Sequence, residues 1–156
     1  MKEADVAALK FCYVDIAPGT NIKKLFIEYT MSTEKLKKKY PGMIIIHFTN
    51  PLTTLQTGIK AWIMKLIRRP LWGVEENMKR NQYNQLLLGK YQGKEPVFDI
   101  VKIQSTFPDG SRSTFTRDGQ TYFSMVPEYT SDGGHLNELG RKKIAEQFLI
   151  LLARLT

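Results

Sequence analysis

The segment Asp132-Gly133-Gly134-His135 holds the residue types best suited to chemistry in this chain. An aspartate three positions before a histidine can fold back so that the carboxylate meets the imidazole. The two glycines between them permit the tight backbone this needs. A carboxylate on one ring nitrogen fixes the tautomer and leaves the other nitrogen free as a general base. A helix candidate follows His135, and its positive end disfavours the charged imidazole. The spacing by itself is common, and a turn with a structural histidine gives the same pattern. The single cysteine, Cys12, reads as a small buried hydrophobe rather than a nucleophile. It builds no disulfide or zinc site within one chain, and no metal or cofactor is expected.

The elements that must position this segment alternate. Asp5–Ile16 is a continuous apolar run, predicted to be a strand buried on both faces and broken by Pro18-Gly19. Residues 21–40 form a helix candidate, with Leu25, Phe26, Tyr29, Leu36 and Tyr40 at helical spacing and Pro41-Gly42 as the stop. Met43–Phe48 is a second buried strand. Residues 52–74 read either as an excursion or lid over a pocket, or as a surface loop whose Trp62 and Trp72 pack on the core. Glu75–Tyr91 is a helix, with Met78, Tyr83, Leu86, Leu87 and Tyr91 as its buried set. Pro96–Ile103 is a third strand and residues 108–131 a turn-rich connection. Glu138–Leu155 is a helix with Leu139, Ile144, Ala145, Phe148, Leu149, Leu152 and Leu155 on one face. The alternation predicts the α/β class with a parallel sheet. Ligands in such sheets bind at the carboxyl ends of the strands, here Cys12–Asp15, Thr49–Pro51 and Gln104–Phe107. The loop before the last helix should gather at the same rim.

Composition narrows the function classes. The 156 residues are 42% hydrophobic and 24% charged, which suits one folded domain over 1–156 rather than disorder. Net charge is +8, with basic clusters at 35–39 and 60–69. These read as a solvated helix face and a basic loop. No zinc-finger, RNP or basic-zipper pattern supports specific nucleic-acid binding. No apolar run reaches the ~20 residues of a membrane span. The first residues do not resemble a signal peptide. The chain as written reads as cytoplasmic, although a secretion signal could lie upstream of Met1.

The block Asp132-Gly133-Gly134-His135-Leu136-Asn137-Glu138-Leu139-Gly140-Arg141, followed by Ile144-Ala145, closely resembles the last motif block of the SGNH (GDSL-type) hydrolases. Asn77 through Asn84, Phe98-Asp99-Ile100, Phe107-Pro108-Asp109-Gly110 and Thr49-Asn50-Pro51-Leu52-Thr53 resemble one bacterial branch of that family. The resemblance implies a flavodoxin-like three-layer α/β/α sandwich and metal-independent hydrolysis of an acyl or carbohydrate ester by a Ser-His-Asp triad. It assigns His135 as the base and Asp132 as the acid that orients it. The family's Gly-Asp-Ser nucleophile motif occurs nowhere in this chain, and Ser111 lies in a late turn in the wrong order. Where the family carries an oxyanion Asn after its third strand, Val14 stands in Cys12-Tyr13-Val14-Asp15. Losing such a donor costs about 10²–10³ in rate. Asn21 is a possible substitute, and Asn50 a further candidate at the oxyanion or rim position.

If Asp5–Ile16 is the family's third strand, the chain carries strands three to five of five. Two strand–helix units, roughly sixty residues, would precede Met1. The chain alone would then be inactive. The family's strand order, 2-1-3-4-5, would leave Asp5–Ile16 as an edge open to a second copy or a partner chain. The expected substrate is a small ester, once a missing segment supplies the serine. The alternative is a non-catalytic interaction or binding protein retaining part of the fold.

Overall fold

The computed structural model describes residues 6–56, 59, 62–63, 66–67 and 71–155. Three parallel strands form a sheet in the order β1 (Val6–Leu9), β2 (Ile44–Phe48), β3 (Val97–Phe98). Val6 lies opposite Ile44, and His47 opposite Val97. Helix α1 (Ile22–Lys39) joins β1 to β2, and α2 (Val74–Tyr91) precedes β3. The short α3 (Ile100–Gln104), the antiparallel pair β4 (Thr114–Arg117) and β5 (Gln120–Phe123), and α4 (Glu138–Ala153) complete the chain. The class is α/β with a parallel sheet, as the alternation of patterns predicts.

Helices cover both faces of the sheet. On one face Ile16, Ile22, Tyr29, Tyr83, Leu87 and Tyr91 form a buried cluster that reaches Leu9 and Val97. On the other, Ile46, Phe98 and Ile100 pack against Ile144, Phe148, Leu151, Leu152 and Leu155. A third cluster, Leu52, Val101, Met125, Val126 and Tyr129, supports the loops at the strand ends.

His47, on the central strand, is fully buried and fully partnered. Its ring stacks on Tyr91 with centroids 3.7 Å apart. Its Nδ1 meets the Tyr29 hydroxyl at 2.7 Å, and its Nε2 meets Glu95 Oε2 at 3.0 Å. Burial pushes His47 below the ordinary histidine value, and Glu95 only partly offsets this. Burial would raise Glu95, but hydrogen bonds from Lys37 and His47 outweigh it and hold the carboxyl low.

Several sequence expectations are corrected. The first strand is not Asp5–Ile16. It ends at Leu9, with Val6 and Ala8 exposed rather than buried on both faces, and Asp5 lies outside the described residues. Asp15 Oδ2 accepts the Cys12 N–H at 2.6 Å and closes a single 3-10 turn over Tyr13–Asp15. The third strand stops at Phe98 because Asp99 caps α3, accepting from the Lys102 N–H at 3.1 Å. The connection over 108–131 contains a hairpin. Asp118 and Gly119, at φ 50° and 76°, supply the two positive-φ residues that a tight two-residue turn needs. On α4, Leu139, Ala145 and Leu149 are exposed, and the partly buried side that packs on the sheet is Ile144, Phe148, Leu151 and Leu152. On α2, Leu86 is exposed. Much of 52–74 lies outside the described residues, but Trp62 and Trp72 are 65% and 43% exposed and do not pack into the core.

Candidate active site at the strand rim

The turn over 130–137 is built from its own side chains. Asp132 Oδ1 accepts the backbone N–H of Gly134 at 2.8 Å and of His135 at 2.7 Å. Thr130 Oγ1 donates to the His135 carbonyl and accepts from the Gly133 N–H. Gly133 adopts φ 89°, and a Cβ there would lie 2.8 Å from Thr54 Oγ1 and 2.9 Å from the Trp72 ring. Glycine is the residue that fits. Asn137 caps α4 by accepting from the Gly140 N–H at 3.0 Å. Gly140 packs so closely that a Cβ would lie 2.6 Å from the Tyr129 carbonyl oxygen.

These bonds leave Asp132 Oδ2 for the imidazole, and it meets His135 Nδ1 at 2.7 Å. The His135 hydrogen bond, with the two backbone donors, holds the Asp132 carboxyl well below the usual range. With the proton on Nδ1, Nε2 carries the lone pair. Toward Nε2 points a hydroxyl that the sequence did not single out. Tyr13 Oη lies 3.3 Å away, its ring edge-on to the imidazole. Asp132 and His135 are exposed and line an open depression of about 390 Å³ with Leu136, Asn137 and Arg141. A larger depression of about 620 Å³ lies between α3 and α4, lined by Lys102, Lys143 and Arg154, and includes neither residue of the pair.

Helix α2 holds this rim together with polar side chains. Asn77 Nδ2 donates to the Thr53 carbonyl at 2.7 Å, and its Oδ1 accepts the Thr53 N–H at 3.0 Å. Asn84 pairs the same way with the backbone of Asn50. Asn81 pairs with the backbone of Phe123. Arg80 is 3% exposed and has no carboxylate within ion-pair distance among the described residues. It donates to the Tyr13 carbonyl, Thr53 Oγ1 and Asn77 Oδ1. Burial lowers its pKa. Thr54 closes the assembly, its N–H on the Gly133 carbonyl at 2.9 Å. The ends of β1 and β2 and the loop before α4 therefore meet at one rim.

The structure brings Asp132 and His135 together there, and places the other candidates elsewhere. Asn21 Oδ1 accepts the Lys24 N–H and serves as the α1 cap. Asn50 is buried, with Nδ2 on the Cys12 carbonyl at 3.0 Å and Oδ1 unpaired. Neither directs a donor at the dyad. Val14 is 64% exposed, Cys12 is exposed rather than buried, and the Ser111 hydroxyl bonds to Asp109. Tyr13 and Arg80 were missed because only the tertiary fold joins them to His135. The nearest signal was Tyr13's position at a predicted strand end.

Fold and rim together define an α/β protein with an aspartate–histidine pair beside the strand ends. No family model matches the sequence, and no curated protein matches it. Among solved structures, the chain is similar to one provisionally described as a platelet activating factor from Streptococcus pneumonia. The identity is 16%, the TM-score 0.62, and the match covers 95% of this chain and 59% of that one. The likeness shows the fold. The chain spans less than two thirds of that neighbour's length.

Proposed function

We propose that the chain carries the base-and-acid part of an SGNH-type serine ester hydrolase, acting on an acyl or carbohydrate ester. His135 is the general base and Asp132 the residue that orients it. One observation carries the reading: Asp132 Oδ2 lies 2.7 Å from His135 Nδ1, in a pair that lines an open depression at the rim. In such a site the imidazole takes the proton of a serine as it attacks the ester carbonyl, and later returns it to the departing alcohol. Helices on both faces of a parallel sheet support the finer fold, a flavodoxin-like three-layer sandwich. The order β1-β2-β3 is compatible with strands three, four and five of the family's sheet.

No Gly-Asp-Ser motif occurs in the sequence, so on this reading another segment or chain supplies the nucleophile. The test is to express the reading frame as it runs upstream of Met1 and assay a short-chain nitrophenyl ester with fluorophosphonate labelling. The expected result is a labelled serine in the added segment, with turnover lost in His135→Ala. Activity that survives His135→Ala would overturn the reading. The 156-residue chain should neither turn over the ester nor label.

One observation favours a second reading, a non-catalytic binding protein. The Tyr13 hydroxyl already occupies the free nitrogen of His135. If the expressed frame neither labels nor turns over the ester, in the parent and in Tyr13→Phe alike, the rim is a binding surface.

A further inference from the structure

The described part of 57–72 turns its apolar side chains outward. Ile59, Trp62, Ile63, Leu66 and Ile67 fall at i, i+3, i+4, i+7 and i+8, the spacing of one helix face. They are 79%, 65%, 45%, 69% and 53% exposed. Ile59, Trp62, Ile63 and Leu66 are helical, and the Ile67 N–H bonds to the Ile63 carbonyl at 3.1 Å. A helix belonging to the core would turn such a face inward, as α4 turns Ile144 and Phe148. Trp72 is 43% exposed and joins this segment to the rim. Its ring borders Gly133, and its backbone carbonyl accepts the Gln56 N–H at 3.2 Å.

The sequence between Thr57 and Pro70 adds Lys60, Lys65, Arg68 and Arg69 and no acidic residue. The combination selects among occupants. A second copy would bring the same four cations and a further net charge of +8, so self-pairing through this segment is opposed by like charge. A soluble polyanion would satisfy the cations and leave the tryptophan and aliphatic side chains in water. An anionic bilayer satisfies both, since tryptophan and aliphatic groups enter the acyl boundary while lysine and arginine meet the headgroups.

We propose that the face formed by Ile59, Trp62, Ile63, Leu66 and Ile67 docks on the surface of an anionic lipid bilayer, and that Trp72 sets the Asp132–His135 rim beside that surface. Resting on the function proposed above, the inference also names the substrate class as an ester carried in or at a lipid surface. The docking itself stands apart from catalysis.

The experiment is co-sedimentation of the 156-residue chain with vesicles of phosphatidylcholine containing phosphatidylglycerol, and with phosphatidylcholine alone, at low and high salt. Tryptophan emission is read in parallel. The expected result is partition onto the anionic vesicles, weakened by salt, with a blue shift that is smaller in Trp62→Phe. Ile63→Glu with Leu66→Glu should lower the partition at least tenfold. Both side chains are exposed, so circular dichroism and the melting temperature should match the parent. Three outcomes overturn the proposal: no partition of the parent at low salt, equal partition of the double variant, or a double variant that loses mass in sedimentation without vesicles. The last would make the face a contact between copies. His135→Ala should bind vesicles as the parent does. A failed esterase assay with intact vesicle binding thus rejects the catalytic reading and leaves the docking surface standing.

Discussion

At the scale of the residue, Asp132 is an exposed carboxylate that is nonetheless hard to protonate. The His135 imidazole and the N–H groups of Gly134 and His135 all bond to its charged form. Protonation must break those bonds, so the folded pKa falls below the ordinary ~3.9 of an aspartate. A depressed carboxylate contributes stability above its unfolded pKa and loses it as pH falls through the folded value. Carbon-detected NMR titration should therefore place the Asp132 midpoint below that of a free aspartate. His135→Ala should raise the midpoint only part of the way, because two backbone donors remain. A midpoint at the ordinary value in the parent would break the dyad argument. The device was legible in the sequence because it is local, lying within four consecutive residues with the glycines where the backbone requires them. Tyr13 was not legible as the partner of Nε2, because the chain separation is 122 residues. Asn21 was misjudged for a related reason. An asparagine just before an apolar helix is first of all a cap, and that local bond is the one it makes.

At the scale of the element, α2 shows where periodicity misleads. Its apolar positions Tyr83, Leu87 and Tyr91 were readable and are buried. Asn77, Arg80, Asn81 and Asn84 are buried too, although polar helix positions are by default assigned to solvent. They are inside because they bond to backbone and side-chain groups of the loops around them: Asn77 and Asn84 to Thr53 and Asn50, Asn81 to Phe123, and Arg80 to Tyr13 and Thr53. Asn77→Ala would strand the buried N–H of Thr53, whose carbonyl keeps the Met125 N–H at 3.0 Å, and a buried orphan costs about 1–3 kcal/mol. Urea unfolding should show a loss of about 1–3 kcal/mol, against about 0.5 kcal/mol or less for Leu86→Ala on the exposed side. Strand β2 carries a second such case in His47. Burial holds its pKa below the ordinary ~6.5. Its neutral form stabilises the fold fully above that value, and the contribution is lost as pH falls toward the folded pKa. Glu95, also depressed, loses its contribution at lower pH, below the ordinary carboxylate range. The melting temperature should therefore decline between pH 7 and pH 5, and His47→Gln should flatten the decline across that interval. An equal slope in the variant would show that His47 does not control it. Strand ends were the least legible feature: Asp99 ends the third strand with a side-chain bond, and Asp15 closes the turn beyond β1 with another, and hydrophobicity reveals neither.

At the scale of the whole molecule, the α/β class and parallel sheet followed from alternating patterns, whereas the hairpin over 114–123 did not. Its Asp118-Gly119 turn is a strong signal, but Thr114–Arg117 and Gln120–Phe123 carry too little apolar alternation to read as strands. The sheet leaves β1 paired with β2 alone among the described residues. Its other edge presents backbone donors and acceptors beside Val6 and Ala8, both exposed. Such an edge templates pairing with another strand unless charge, proline or a covering element blocks it. Val6–Leu9 contains no charged residue and no proline, and Lys10 lies just beyond its end. Net charge of +8 opposes association, but salt screens it. The Debye length falls from about 10 Å at 0.1 M to about 3 Å at 1 M. The edge and the charge therefore make opposite demands, and salt decides between them. Light scattering at micromolar concentration should show the 18.0 kDa chain associating, and more so as salt rises. Ala8→Lys places a cation on the exposed edge and should return the chain toward monomer without changing its circular dichroism. Vesicle docking through the face of Ile59, Trp62, Ile63, Leu66 and Ile67 is expected to weaken with salt, so the two interactions separate by the sign of their salt dependence. A monodisperse monomer at both low and high salt, unfolding cooperatively, would show that β1 is protected by something other than strand pairing.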